Sequence, residues 1–177
     1  VLTLIPAEEG KSGDYPGAES LMAMTFPLTG SPYHYRVEPL LSPLGSPCSA
    51  PPWAALTAVD LKKAEILWEV PLGSIDKMLP VSLPWEVDLS LGTPGAGGPL
   101  LTAGGLVFIG YTLDDRFRAF DVSTGEVLWQ ADLPAAGTAV PVTYEAGGEQ
   151  YIVIPAGGHS MYQSTLGDSV MAYKLKR

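Results

Sequence analysis

Ala119-Phe120-Asp121-Val122-Ser123-Thr124-Gly125-Glu126-Val127-Leu128-Trp129 repeats the Ala, Asp, Glu, Leu and Trp of Ala58-Val59-Asp60-Leu61-Lys62-Lys63-Ala64-Glu65-Ile66-Leu67-Trp68 at equal spacing. Each copy reads as a strand, a turn opened by an Asp whose carboxylate accepts backbone N–H bonds, and a second strand ending on a large flat ring. A Trp repeated once per sheet can dock between neighbouring sheets. The spacing between the copies is somewhat longer than a plain four-stranded blade repeat of about 40–45 residues, and the Pro-rich stretch Pro71–Pro99 accounts for the excess. The pattern is that of a β-propeller with an insertion.

Working outward, the 177 residues amount to about one domain. Hydrophobic residues make up 46% and charged residues 16%, with 20 Gly and 17 Pro, which excludes a coiled coil or a disordered tail. A formal charge of −9 gives no source for phosphate neutralisation, so nucleic acid and anionic membrane surfaces are not expected partners. The lone Cys48 cannot form an internal disulfide or a multi-thiolate metal site. No apolar run reaches the roughly 18–20 residues of a membrane-spanning helix, so the segment is expected to be soluble as given. Its start, Val1-Leu2-Thr3-Leu4-Ile5, reads as processed, trimmed or cut from something longer.

Ala7–Ala50 carries scattered Pro, Gly and Ser without a sustained period and reads as a long irregular excursion. From Leu56 onward, short runs rich in β-branched, aliphatic and aromatic residues alternate with turn signals. The expected strands are Leu56–Asp60, Glu65–Val70, Pro99–Ala103, Leu106–Tyr111, Arg116–Asp121, Glu126–Ala131, Val140–Tyr144, Gln150–Pro155 and Ser169–Leu175. They pair as antiparallel hairpins, and helix is nearly absent. The organisation expected is an all-β partial propeller of two to three blades. Residues 1–54 form an irregular segment packing on or completing a blade. Residues 55–98 end one blade and carry the Pro-rich insertion, 99–133 are a complete four-stranded blade, and 134–177 are the last blade, incomplete. Trp129 is expected to be buried between blades.

Ala-x-Asp-x-x-Thr-Gly-Glu-x-x-Trp at 119–129 is similar to the tryptophan-docking motif of the quinoprotein alcohol and sugar dehydrogenases, which are eight-bladed propellers. Ser42-Pro43-Leu44-Gly45-Ser46-Pro47-Cys48, Pro51-Pro52-Trp53, Gly97-Gly98-Pro99, Thr102–Gly110, Phe117–Asp121, Ala156-Gly157-Gly158-His159 and Leu166-Gly167-Asp168 resemble the C-terminal third of the membrane-bound glucose and quinate dehydrogenase branch. The resemblance implies a sugar or cyclic polyol substrate, pyrroloquinoline quinone held in the central channel with calcium or magnesium, ubiquinone as electron acceptor, and a periplasmic, membrane-anchored complete enzyme. It also implies that the catalytic carboxylate and the metal ligands precede this segment, so no catalytic residue or metal ligand is expected here and the segment should be inactive alone. Its partners would be the remaining blades, from the same or another chain, and its open sheet edges invite self-association. Of the cofactor-binding groups, the resemblance carries over Gly157, Gly158 and His159 beside the quinone and Trp53 at the channel mouth. Three positions depart from the family pattern: Lys63-Ala64 replaces the usual Thr-Gly, Gly95-Ala96 sits where Asn is common, and Ser49 follows Cys48 where Asn is common. The competing reading is a non-catalytic propeller scaffold segment or a decayed quinoprotein.

Read from the residues alone, His159 follows an apolar strand and two glycines, where backbone can approach a planar ligand and an imidazole can donate to its oxygens. The bland alternative is a loop histidine. That alternative leads for His34, which has no partner suggested by spacing. Gly158-His159-Ser160-Met161-Tyr162 lacks the final Gly and the following helix of a nucleophile elbow, and no later His remains as a base. Gly95-Ala96-Gly97-Gly98 lacks the Lys-Ser/Thr of a phosphate loop and reads as a turn. Asp114-Asp115 and Glu8-Glu9 read as solvated turn charges, Asp168 as a turn cap rather than a metal ligand, and Trp68 and Trp129 as docking rings rather than cofactor stackers. Trp85 and Trp53 fall outside the repeat.

Overall fold

The computed structural model describes residues 1–7, 23–43, 47–76, 89–162 and 164–175. Glu8-Glu9, Trp85 and the 44–46 part of the Ser42–Cys48 motif lie outside them. The chain divides into two compact units, Val1–Cys48 with Met161–Gln163, and Ser49–Ser160 with Ser164–Arg177.

The smaller unit is a three-stranded antiparallel sheet of β1 (Leu2–Pro6), β2 (Met24–Pro27) and β3 (Tyr33–Val37) in the order β1-β3-β2. The irregular reading of Ala7–Ala50 is therefore corrected, since β2 and β3 lie within it, and β1 was not among the expected strands. Their signal is weak because this sheet buries its more polar face. Ile5 and Arg36 are buried and Arg36 pairs with Glu38, whereas Leu2 and Leu4 on the other face are exposed. Phe26 and Tyr35 stack on that exposed face with ring centroids 5.1 Å apart. His34 lies on β3 opposite Ile5 rather than in a loop, half-buried, with no hydrogen bond at Nδ1.

The larger unit holds three antiparallel sheets: β4 (Ala55–Asp60) with β5 (Glu65–Pro71); β6 (Leu100–Leu101), β7 (Leu106–Ile109), β8 (Arg116–Asp121) and β9 (Val127–Asp132) in sequence order; and β10 (Val142–Ala146), β11 (Glu149–Ala156) and β12 (Ser169–Lys174), also in order. The four-stranded sheet runs from Leu100 to Asp132. Among the described residues there is no α-helix. Alternation along β7 and β8 sends side chains to both faces of the middle sheet. Val107, Ile109 and Phe120 bury with Leu72, Leu56 and Val70 against the first sheet. Phe117 and Phe108 bury with Leu133, Ile152, Ile154 and Met171 against the third. Two layers of core thus join three consecutive sheets.

The repeated motif explains how the first sheet grips the second. Asp60 Oδ1 accepts the N–H groups of Lys62 and Lys63 at 2.9 and 3.2 Å, and Asp121 Oδ1 those of Ser123 and Thr124 at 2.7 and 3.2 Å. In both hairpins the register then slips by one residue before the Trp, leaving Leu67 and Leu128 as exposed bulge residues. A bulge re-aims the side chain beside it. Trp68 lies on the Gly125 turn of the next sheet and its Nε1–H donates to Val122 O at 3.0 Å.

Trp129 departs from the expectation of burial. It is 38% exposed, with edge contacts to Phe117 and Tyr173 at centroid distances of 5.9 and 5.1 Å. The reason lies in the third sheet, where Lys174 stands after Ala172-Tyr173 at the place of Asp60 and Asp121. The Asp-opened turn that covers Trp68 has no counterpart for Trp129 among the described residues.

A buried ion pair fastens the same two sheets at their other end. Asp114 is fully buried, not a solvated turn charge: its carboxylate pairs with Arg118 and accepts the Thr112 hydroxyl at 2.6 Å and the Ser74 N–H at 2.9 Å. Burial by itself pushes this carboxyl up, but the hydrogen bond and charge of Arg118, with Thr112 and Ser74, outweigh it and hold Asp114 below the usual carboxylate range. The adjacent Arg116 bridges Asp76 at 2.9 Å and Asp132 at 3.6 Å.

Gly125→Ala should destabilise by about 2–4 kcal/mol, because the residue has φ +75° and an added Cβ would lie 2.7 Å from the Trp68 ring. Ala64, at the equivalent turn position, already has φ +55°, so Ala64→Gly should stabilise by about 0.5–1 kcal/mol. Denaturant unfolding followed by tryptophan fluorescence distinguishes the two signs. Asp114→Asn should cost about 3–5 kcal/mol by leaving the Arg118 guanidinium buried without its counter-ion. A depressed folded pKa gives stability that is present above the unfolded pKa and lost as pH falls through the folded one. The wild type should therefore lose stability below about pH 4, and Asp114→Asn should lack that part of the acid limb; parallel acid limbs in melting curves would contradict the pairing.

Candidate functional site

In an antiparallel meander every second connection emerges at the same end. The segments after β5, β7, β9 and β11 therefore gather at one end of the sheets, and the Asp-opened turns at the other. Hydrogen bonds stitch the four segments together. Ala96 N donates to Tyr111 O at 3.1 Å, Tyr111 N to Gly137 O at 2.9 Å, and Gly158 N to Ala136 O at 2.9 Å. The Asp114–Arg118 pair lies under this belt, since Thr112, which bonds Asp114, follows Tyr111 directly.

Gly157, Gly158 and His159 are brought together in the loop that follows β11. Gly158 has φ +70°, and a Cβ there would collide with the Thr165 carbonyl, so the returning chain closes directly onto this glycine. Its carbonyl accepts the Thr138 hydroxyl at 3.0 Å. His159 N–H donates to Ser164 Oγ at 2.7 Å, and Gly167 N–H to Gly157 O at 3.1 Å. Gly157 is exposed, and a Cβ on it would meet nothing nearer than Gly167 O at 3.8 Å. Gly157 thus leaves its peptide open, while His159 is half-buried with its Nδ1 shielded from solvent.

Trp53 is at the same end, because it lies two residues before Ala55, the start of β4, which is equivalent to the start of β8. It is held by a separate set of bonds: its backbone N–H donates to Leu91 O at 2.8 Å and its Nε1–H to Ser49 O at 2.9 Å. The Gly95-Ala96-Gly97-Gly98 segment is a turn tied across to 111–112 through Ala96 N and a Gly95–Thr112 bridge. Ser160 opens a single 3₁₀ turn, Ser160–Tyr162, and is exposed, without the α-helix an elbow requires. Asp168 is exposed just before β12, and among the described residues no three His, Cys, Asp or Glu side chains gather as a metal site. Thr138 and Ser164, which shape the loop, carried no sequence signal, as nothing in their spacing separates them from other loop hydroxyls.

The family model of the PQQ glucose/ethanol/alcohol dehydrogenase β-propeller domain matches residues 1–152. The chain is 42% identical over 177 residues to the quinoprotein glucose dehydrogenase A of Acinetobacter calcoaceticus, covering 99% of this chain and 22% of that protein. It is 42% identical over 170 residues to the quinoprotein glucose dehydrogenase of Escherichia coli, covering 96% and 21%. To a probable quinate dehydrogenase (quinone) of Xanthomonas campestris pv. juglandis it is 41% identical over 176 residues, covering 97% and 22%. The chain thus spans about a fifth of the length of these relatives.

Gly158→Ala should disrupt the loop, because the new Cβ combines a left-handed backbone with a clash against rigid backbone. We expect a loss of about 2–4 kcal/mol in local stability, seen as faster amide hydrogen exchange across 157–167 with little change in β7 and β8. Unchanged exchange in the loop would contradict the close return of Thr165.

Proposed function

The chain belongs to the PQQ glucose/ethanol/alcohol dehydrogenase β-propeller family, and from that membership we propose that it is a C-terminal part of a dehydrogenase oxidising a sugar or cyclic polyol and passing electrons to ubiquinone. Its three stacked sheets would serve as consecutive blades: 55–98 ending one blade with its insertion, 99–133 a whole blade, and 134–177 the last and incomplete one. The observation that carries this reading is the Gly157-Gly158-His159 loop, locked at the strand ends with an open peptide face.

In this reading Gly157 and Gly158 offer their peptides to one flat side of the cofactor, His159 donates to its oxygens or carboxylates, and Trp53 borders the channel mouth. Bound pyrroloquinoline quinone supplies the two-electron acceptor for alcohol oxidation. The chain's own contribution is to bind, orient and shield. Proton abstraction needs a base within hydrogen-bond reach of the substrate hydroxyl, and the calcium or magnesium ion needs several oxygen ligands; both fall to the remaining blades. The segment alone would be inactive, because it presents one side of a channel rather than an enclosed site, and its open sheet edges would favour self-association. Among the described residues no helix is long and apolar enough to cross a membrane. A periplasmic setting with a membrane anchor elsewhere in the complete protein accords with electron delivery to a lipid-soluble quinone.

The test is a titration of pyrroloquinoline quinone into the complete protein, read by quenching of tryptophan fluorescence and by dye reduction with glucose and quinate. Saturable binding is expected, and none with the isolated 177-residue chain. His159→Asn should raise the half-saturating concentration roughly ten- to a hundredfold, the value of a charge-assisted hydrogen bond, while keeping much of the plateau rate. Absence of quenching in the complete wild-type protein would leave a scaffold or decayed enzyme, and a collapsed plateau with unchanged half-saturation would move His159 into the chemical step.

A further inference from the structure

We propose that Thr138 and Ser164 are positioning residues that hold the His159 imidazole in its binding orientation; this rests on the reading of the Gly157–His159 loop as a cofactor site. The argument begins from the backbone. Gly158 and His159 lie outside every strand, so none of their main-chain groups is satisfied by a ladder. All four are nevertheless taken. Gly158 N–H donates to Ala136 O at 2.9 Å, and Gly158 C=O accepts from Thr138 Oγ1 at 3.0 Å. His159 N–H donates to Ser164 Oγ at 2.7 Å, and His159 C=O accepts from Ser164 N at 3.4 Å and Ser164 Oγ at 3.5 Å.

Two hydroxyls from two different loops therefore fix the peptide planes on either side of His159 Cα. Ser164 faces both groups, since its Oγ accepts from the His159 N–H at 2.7 Å and lies 3.5 Å from the His159 carbonyl oxygen. Thr138 belongs to the segment after β9, which is also bonded to Tyr111 through Gly137. The direction of the His159 Cα–Cβ bond is thereby referred to the middle sheet rather than to the loop alone. Without the Thr138 hydroxyl the peptide before His159 would be held by Ser164 alone, and without the Ser164 hydroxyl by Thr138 alone, with the His159 carbonyl left on the Ser164 N–H; the loosened backbone would let the imidazole sample directions that miss the cofactor. A small hydroxyl suits this task because it adds one hydrogen bond without crowding the open face of Gly157.

The experiment uses the complete protein in its cofactor-free form. Equilibrium binding of pyrroloquinoline quinone is measured by tryptophan quenching in Ser164→Ala, Ser164→Thr, Thr138→Val and the double variant Ser164→Ala/His159→Asn, with thermal unfolding recorded for each. Ser164→Ala and Thr138→Val should each weaken binding about 3- to 10-fold, with melting temperatures within about 2 °C of wild type. Ser164→Thr, which keeps the hydroxyl, should return binding to within about twofold of wild type. In the His159→Asn background, Ser164→Ala should add little, because the group it positions is already gone. Unchanged binding in both single variants overturns the assignment, as does a Ser164→Ala effect that persists undiminished without His159. A fall in melting temperature that accounts for the whole loss of affinity overturns it too. If the complete wild-type protein does not bind the cofactor, the functional reading fails and this inference with it; if wild type saturates and the hydroxyl variants match it, only the hydroxyl assignment fails.

Discussion

The indole of Trp68 lying on the Gly125 turn is the contact on which the stacking of sheets depends. It joins the last strand of one sheet to the last turn of the next, with an Nε1–H bond to Val122 O at 3.0 Å. Beneath it, Val107, Ile109 and Phe120 close against Leu56, Val70 and Leu72. At the far end the buried Asp114–Arg118 pair, through Ser74, fastens the segment after β5 to the turn after β7. An apolar layer between two polar fasteners leaves the sheets little freedom to slide. The loop carrying Gly157, Gly158 and His159 is tied to the middle sheet's outgoing segment through Ala136 and Thr138.

From Leu56 onward the strands were legible as β-branched, aliphatic and aromatic runs bounded by turn residues, with burial concentrated in β7, β8 and β11 and β10 exposed throughout. The repeat marked the hairpins β4–β5 and β8–β9; its Asp proved to be a turn cap and Trp68 a docking ring, lying on the left-handed Gly125. Residues 1–48 were not legible in the same way. Their sheet buries Arg36 and exposes Leu2 and Leu4, the reverse of the pattern from which strands are read. Trp129 was misjudged because motif identity says what a ring can do, whereas its cover depends on what the next sheet presents, here Lys174 in place of Asp.

At the candidate site, the Gly-Gly-His element stood out through its resemblance to the family's turn beside the quinone; the residues alone left a loop histidine open. Its supports did not. Thr138 and the Ser74 contact of Asp114 act across 20 and 40 residues of chain, and Ser164 lies five residues from His159 in a loop whose spacing does not mark it. Asp114 looked like half of an ordinary acidic turn beside Asp115. Thr112 and Arg118 are two and four residues away, and the fold adds the Ser74 N–H and the burial that those partners make tolerable.

The exposed Leu67 and Leu128 bear on how the hairpins find their pairing as the chain folds. A two-stranded ribbon with apolar residues on both faces has competing alignments one residue apart, and each such slip turns every side chain of one strand to the opposite side. An extra residue at a set point makes the two halves of the strand incommensurate, so that only one alignment satisfies both at once. Leaving a leucine in water costs a little burial in the finished protein. It removes a family of kinetic traps from the search for it.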